Sequence, residues 1–139
     1  MSPTSAKTAP AGYSETRLLD PFERFVGPVY ERGEVPSRTF ALLVEEHHCN
    51  LRSILHGGMY MTFADAAIGQ AVWDVTDHVP SVTLNMQSQF LKPAKQGDLI
   101  EVQPELIRKT KSLVFMRGDF KVRGETVFAA TSVWKLIGK

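Results

Sequence analysis

At 139 residues, with 43% hydrophobic and 22% charged residues, the chain has the length and composition of one globular domain with a core of its own, and is too short for two comfortable ones. A formal net charge of +1 excludes a globally basic surface of the kind that draws nucleic acid or anionic membranes, so any anion site must be local. A single cysteine, Cys49, excludes an internal disulfide framework. With no signal-type apolar core near the N-terminus and no run near the ~18 apolar residues of a membrane span, a cytoplasmic location is the expectation.

Residues Met1 to Tyr13 are rich in Ser, Thr, Ala and Pro and lack large aliphatic side chains, which predicts a mobile N-terminal extension over residues 1–17 and one domain over 18–139. Leu18, Leu19, Phe22, Phe25 and Val26 then recur at helical spacing ahead of Gly27-Pro28. They predict a short amphipathic helix on the domain's edge, in a position to cap a ligand cleft. Thr39 to Val44 has strand composition and leads into the polar Glu45 to Asn50. Within it, His47-His48-Cys49 lacks the paired spacings of a zinc site, so no metal is expected. Cys49 has no identifiable partner base and reads as a small buried thiol.

Leu55 to Trp73, LHGGMYMTFADAAIGQAVW, is apolar or small almost throughout yet carries His56 and Asp65. A helix that is apolar all round is usually buried. Gly57 and Gly58 would leave amide donors unshielded at its positive dipole end, a ready anion site. Asp65 has two readings: it reaches solvent or a buried partner, or it does chemistry. It follows His56 by nine positions, half a turn around a helix and ~13 Å along its axis. The two side chains therefore cannot meet within one chain, and a shared site would need a second copy in a two-fold dimer with facing helices.

Asp77, His78 and Pro80 mark a break, after which Ser81 to Phe90 alternates. Val82, Leu84, Met86 and Phe90 take one face, and Ser81, Thr83, Asn85, Gln87 and Gln89 the other, which is solvated surface or the wall of a polar site. Leu91 to Asp98 is a connection, followed by strands at Leu99 to Ile107, Leu113 to Val122 and Val127 to Leu136, with a turn at Gly124. Pro104 removes a ladder donor and suggests an edge or a bulge. Arg108, Lys109, Lys111, Arg117, Lys121 and Arg123 form the dense basic stretch: a solvated face, or with a neighbouring turn a phosphate site. The order of elements predicts an α+β domain in which one long helix covers one face of an antiparallel sheet.

Asn50 stands six residues before His56-Gly57-Gly58, Asp65 stands nine after that histidine, and Phe90 to Asp98 forms a connection with a proline and a glycine. In these features the stretch from Thr39 to Lys135 resembles the hotdog-fold thioesterases, in the branch related to the phenylacetate-degradation thioesterase. The resemblance implies a five- or six-stranded antiparallel sheet wrapped around the long helix, homodimers that commonly pair as dimers of dimers, and active sites at the dimer interface. It implies hydrolysis of acyl-CoA thioesters to free acid and coenzyme A, with no cofactor beyond the substrate's own coenzyme A and no nucleic-acid or membrane partner. One subunit would offer Asn50, His56 and Gly57, and the other Asp65 and Thr83. The Gly57 amide would hold the oxyanion, Asp65 would serve as general base or nucleophile, and Thr83 would hold the water. Asn50 and His56 would orient the thioester, His56 also bracing the turn, while Gly58, Lys109, Lys111 and Arg117 would contact substrate. Met59, Tyr60, Phe63 and Trp73 either line an acyl pocket or belong to the core. The same fold also serves non-catalytic acyl-CoA-binding modules, and an acyl carrier protein is the alternative carrier.

Overall fold

A computed structural model describes residues 8–16 and 19–138. The chain runs β1 (Ser14–Glu15), α1 (Pro21–Val26), β2 (Tyr30–Arg32), β3 (Thr39–Leu43), a single 3-10 turn (Glu46–His48), α2 (Gly57–Val75), β4 (Ser81–Phe90), β5 (Leu99–Val102), β6 (Glu105–Lys109), β7 (Leu113–Val122) and β8 (Glu125–Leu136). The strands form one antiparallel sheet in the order β1-β2-β3-β5-β7-β8-β4, with β6 also paired to β7. The α+β expectation holds. The sheet is larger than the expected five or six strands because Tyr30–Arg32 and Ser14–Glu15 extend one edge. Ser14 and Glu15, which the composition groups with the extension, thus pair in the sheet, whereas residues 1–7 and Arg17 of that extension, and Leu18, lie outside the described residues.

The hairpin β7–β8 is closed by Arg123 and Gly124, with φ of 48° and 80°, the pair of positive values that a tight two-residue hairpin turn requires. Leu99 to Ile107, expected as one strand, is divided at Gln103-Pro104 into β5 and β6, where the missing proline N–H interrupts the ladder.

α2 packs its buried face, including Tyr60, Phe63, Ala64, Ala67, Ile68, Ala71 and Val72, against Phe40, Leu42, Ile100, Met116, Phe120 and Phe128 of the sheet. Tyr60 stacks on Phe128 at 5.0 Å between ring centres, and Phe63 meets Phe120 edge-on at 5.5 Å. Met59, Tyr60 and Phe63 therefore belong to the core. Gly69 lets the helix approach Trp134 of β8 closely: a Cβ there would lie 3.2 Å from the indole. At the other end, Arg38 donates twice to Asp74, both at 2.8 Å, and once to Glu31 at 2.9 Å, tying α2 to β2 through a nearly buried ion pair.

β4 occupies the residues expected of it, but its faces do not. The register slips between Thr83, opposite Trp134, and Asn85, opposite Val133, so Leu84 is a bulge. Before the bulge Thr83 shares a face with Trp134; after it Met86, Ser88 and Phe90 lie opposite the buried or nearly buried Ser132, Ala130 and Phe128. The single apolar face read from the alternation is thereby split, leaving Val82 and Leu84 exposed and turning Thr83 toward α2.

Candidate active site

The N-terminal turn of α2 is built almost wholly from local hydrogen bonds. His56 is the N-cap in extended conformation (φ −63°, ψ 136°), and its Nδ1 accepts from the Gly58 amide at 3.0 Å. Its own amide donates to His48 O at 2.9 Å, and Leu55 N donates to Ala94 O at 2.8 Å, which fixes the chain's entry into the helix. His48 in turn is buried, with Nε2 2.6 Å from Val26 O and Nδ1 accepting from Glu45 N at 2.9 Å. That ring is a structural bolt between the end of α1 and this loop. Gly57 is the first helical residue, so its N–H has no acceptor within the helix. A Cβ on Gly57 would sit at an ordinary 3.6 Å from Phe90, whereas one on Gly58 would press to 3.3 Å on the His56 ring. The smallness of Gly58 is explained by the cap; that of Gly57 is not explained by packing.

Asn50 lies ahead of this turn and organises it: its Oδ1 accepts from Arg52 N at 2.8 Å and its carbonyl from Ser53 N at 3.0 Å. Tyr60 anchors the opposite wall, donating to Lys92 O at 3.0 Å and accepting from Ala94 N at 3.1 Å. Burial, then the Glu46 charge, pushes the half-buried Cys49 thiol up, which disfavours its thiolate.

Asp65 is exposed in the single protomer rather than buried. Thr83 Oγ1 donates to its Oδ1 at 2.6 Å, a contact made possible by the bulge in β4. Asp65 lines a cavity of about 430 Å³ that is also lined by Ala66, Gly69, Gln70 and Trp73 of α2 and by Trp134 of β8. A second hollow of about 320 Å³ on its other side is lined by Thr62, Met61 and Met86. Helix α1 lines both with Asp20 and Glu23. Asp20 caps that helix by accepting from Glu23 N at 2.7 Å, with Pro21 at the first helical position. Burial first, then the Asp20 charge, raises the Glu23 carboxyl from 4.5 to about 7, and Asp65 adds to the effect. The sequence reading missed both acids; the signal available was the Asp20-Pro21-Phe22-Glu23 start signature of a helix already expected at the edge of a cleft.

Within one chain the structure thus brings Asp65 and Thr83 together, and Asn50, His56, Gly57 and Gly58 together, at separate stations on α2. The helix is unbroken from Gly57 to Val75, so the ~13 Å axial separation stands. The basic candidates join neither group. Lys109 Nζ donates to Val75 O at 2.9 Å, capping the far end of α2, because a slip in the β6–β7 register places Lys109 opposite the buried Val114. Arg117 lies on the sheet face away from α2, between the inward Met116 and Gly118, and pairs with Asp119 at 3.3 Å. Lys111 is exposed in the β6–β7 turn. Among the described residues no group of three or more His, Cys, Asp or Glu side chains is placed to hold a metal ion.

Comparison with known proteins gives this arrangement its class. Residues 53–132 match the model of the thioesterase superfamily, and the chain belongs to that family. At family level this makes it a thioester hydrolase of the hotdog fold. It is 29% identical over 99 residues to acyl-coenzyme A thioesterase 13 of Homo sapiens, covering 70% of this chain and 71% of that one. It has the fold of a mutant of the phenylacetic acid degradation protein PaaI from Thermus thermophilus, with TM-score 0.76, 21% identity and coverage of 85% and 100%. A hypothetical thioesterase from Streptococcus pneumoniae, solved with coenzyme A, superposes with TM-score 0.73 at 21% identity over 80% of this chain and 90% of that one.

Proposed function

We propose that this chain hydrolyses acyl-CoA thioesters in a site assembled from two copies of itself, one supplying the Gly57 amide and the other Asp65. The observation that carries the proposal is that α2 presents an uncommitted amide at Gly57 and a cavity-lining carboxylate at Asp65 that are too far apart to act on one carbonyl within a chain. In a two-fold pair each helix serves both sites. The edge of the sheet supports pairing: β4 ends the strand order, is ten residues long, and exposes Val82 and Leu84. A long apolar edge of that kind calls for a partner strand.

In this site the thioester carbonyl oxygen accepts from the Gly57 N–H, which strengthens as negative charge develops there. Asp65 of the opposite copy supplies the nucleophile by deprotonating a water, with Thr83 holding the carboxylate, or by attacking the carbonyl itself. The C–S bond then breaks and the coenzyme A thiolate takes a proton; on the water route the free acid leaves directly, and on the other route a water first hydrolyses the mixed anhydride, releasing the acid and restoring the Asp65 carboxylate. The relative described as an acyl-coenzyme A thioesterase and the fold relative solved with coenzyme A favour this carrier. Asn50 and His56 shape the turn that carries Gly57. Of the three basic candidates, Lys111 is the one without an ion pair or hydrogen bond among the described residues and is the one assigned here to the nucleotide, since Lys109 donates to Val75 O and Arg117 pairs with Asp119.

The test is thiol release from a panel of acyl-CoAs, followed by one turnover in H2(18O). Label in Asp65 requires an anhydride opened at the aspartyl carbonyl, label in the product acid alone excludes that opening and is the result expected of water attack, and tight binding without any thiol release contradicts hydrolysis.

A further inference from the structure

Both ring nitrogens of the buried His48 meet groups whose hydrogen-bonding direction is fixed. The Glu45 N–H, 2.9 Å from Nδ1, can only donate, and the Val26 carbonyl, 2.6 Å from Nε2, can only accept. The ring is therefore neutral and carries its proton on Nε2. An imidazolium would aim a second N–H at the Glu45 amide. The backbone of the same residue holds the entry to α2: His48 O accepts from His56 N at 2.9 Å, and Cys49 and Leu55 pair beside it as an isolated antiparallel bridge. His56 is the N-cap, and the next amide along the chain is that of Gly57. One buried side chain thus ties the end of α1 to the backbone that presents the Gly57 N–H.

We propose that His48 is the positioning residue of the Gly57 amide: its neutral ring clamps the Glu46–His48 turn to the end of α1, and its carbonyl, held by that clamp, sets the direction in which the Gly57 N–H points. The bearing of this clamp on catalysis rests on the reading that the Gly57 amide is the oxyanion donor. Such a donor acts only when aimed at the oxygen, and a misplacement of about 1 Å can cost about 10²-fold in rate. When the ring gains a proton, Nδ1 ceases to accept and the Glu45 N–H loses its partner. Among the described residues the ionisable groups acting on the ring are His47, with ring centres 4.0 Å apart, and Glu45, both on its own segment; α1 and β3 meet it with backbone at Val26 and Leu43. Burial is the largest influence and holds the ring below the usual histidine range, so the clamp is closed at neutral pH and opens in acid.

Two substitutions separate the clamp from mere filling of space. His48→Leu makes neither ring bond, whereas His48→Gln can still donate to the Val26 carbonyl and has no proton to gain. His48→Leu is expected to lower kcat for thiol release by about tenfold to a hundredfold with KM little changed. His48→Gln is expected to restore most of that loss at neutral pH and to move the acid-side fall in kcat to lower pH than in the wild-type protein. Nuclear magnetic resonance of isotope-labelled protein reads the clamp without turnover: the Gly57 amide signal should shift with pH in step with the His48 ring, and should stay still over that range in His48→Gln. Circular dichroism melts establish that each variant folds, and where His48→Leu does not fold, the resonance titration and the His48→Gln pH profile decide. A Gly57 amide that ignores the ring's titration, or a folded His48→Leu with wild-type kcat beside an impaired Gly57→Pro, would overturn the positioning role. An amide that follows the ring in a protein that releases no thiol would uphold that role and sink the hydrolysis reading.

Discussion

The two working stations of α2 are made in different ways. At its start, His56, Gly58, Asn50 and the incoming strand satisfy one another through short local hydrogen bonds, and the functional element left over is a backbone N–H. Eight residues further on, Asp65 stands exposed, with Thr83 as its one side-chain partner among the described residues, beside two more carboxyl groups and a cavity lined by Gln70 and Trp73. The first is a rigid geometric device that tolerates little change in backbone and depends little on side-chain identity beyond the cap and His48. The second is a side-chain environment, open to tuning by charge and by what fills the cavity.

That contrast is broken most severely at Asp65. Replacing it with Asn keeps the shape and removes the base or nucleophile, so kcat for thiol release is expected to fall by about 10²–10⁴ while the melting temperature stays close to wild type. The backbone device is tested by Gly57→Pro. Proline is well accepted at the first helical position, and His56 already holds the extended conformation that a following proline demands. The helix should persist while the donor is lost, lowering kcat by about 10²–10³. A variant with near-normal kcat would show that the Gly57 N–H is not the oxyanion donor.

Smaller effects sharpen the division between structure and chemistry. Lys109→Ala removes a cation and a hydrogen bond from the C-terminal end of α2 and is expected to lower stability by ~0.5–1 kcal/mol in urea unfolding, with KM for acyl-CoA unchanged. The smallest effect concerns Glu23. Its carboxyl is raised from 4.5 to about 7 in the folded protein, so folding favours its protonated form. Its stabilising contribution is fully present below about pH 4.5 and is lost as pH rises through about 7. Glu23→Gln should therefore leave the melting temperature at pH 4 nearly unchanged and raise it slightly at pH 8; an equal shift at both values would remove this carboxyl as the cause.

Much of the fold is legible from local pattern. The limits of β4 and the start of the long helix follow from alternation, the glycine pair and the break at Asp77 to Pro80. What is not legible depends on register. A one-residue bulge at Leu84 leaves the alternation of letters intact while reversing which residues face α2, and that reversal is what sets Thr83 beside Asp65. Likewise nothing in the spacing of Lys109 and Arg117 reveals that one caps a helix and the other faces away from it. The helix around Asp65 reads as buried because its letters are apolar and leaves open whether the acid reaches solvent, yet it turns that position toward an open cleft whose other wall comes from α1, some forty residues earlier in the chain. The acids of α1 belong to the site through tertiary packing alone.

The central claim is that the amide and the acid acting on one thioester come from different chains. Gly57→Pro and Asp65→Asn proteins, each close to inactive, can be mixed under conditions that exchange subunits, with exchange verified by native mass spectrometry. Random pairing makes half of the dimers mixed, and each mixed dimer contains one site with both groups intact. Thiol release should therefore recover to about a quarter of the wild-type rate. A mixture that exchanges fully yet stays as inactive as its components would contradict the shared site.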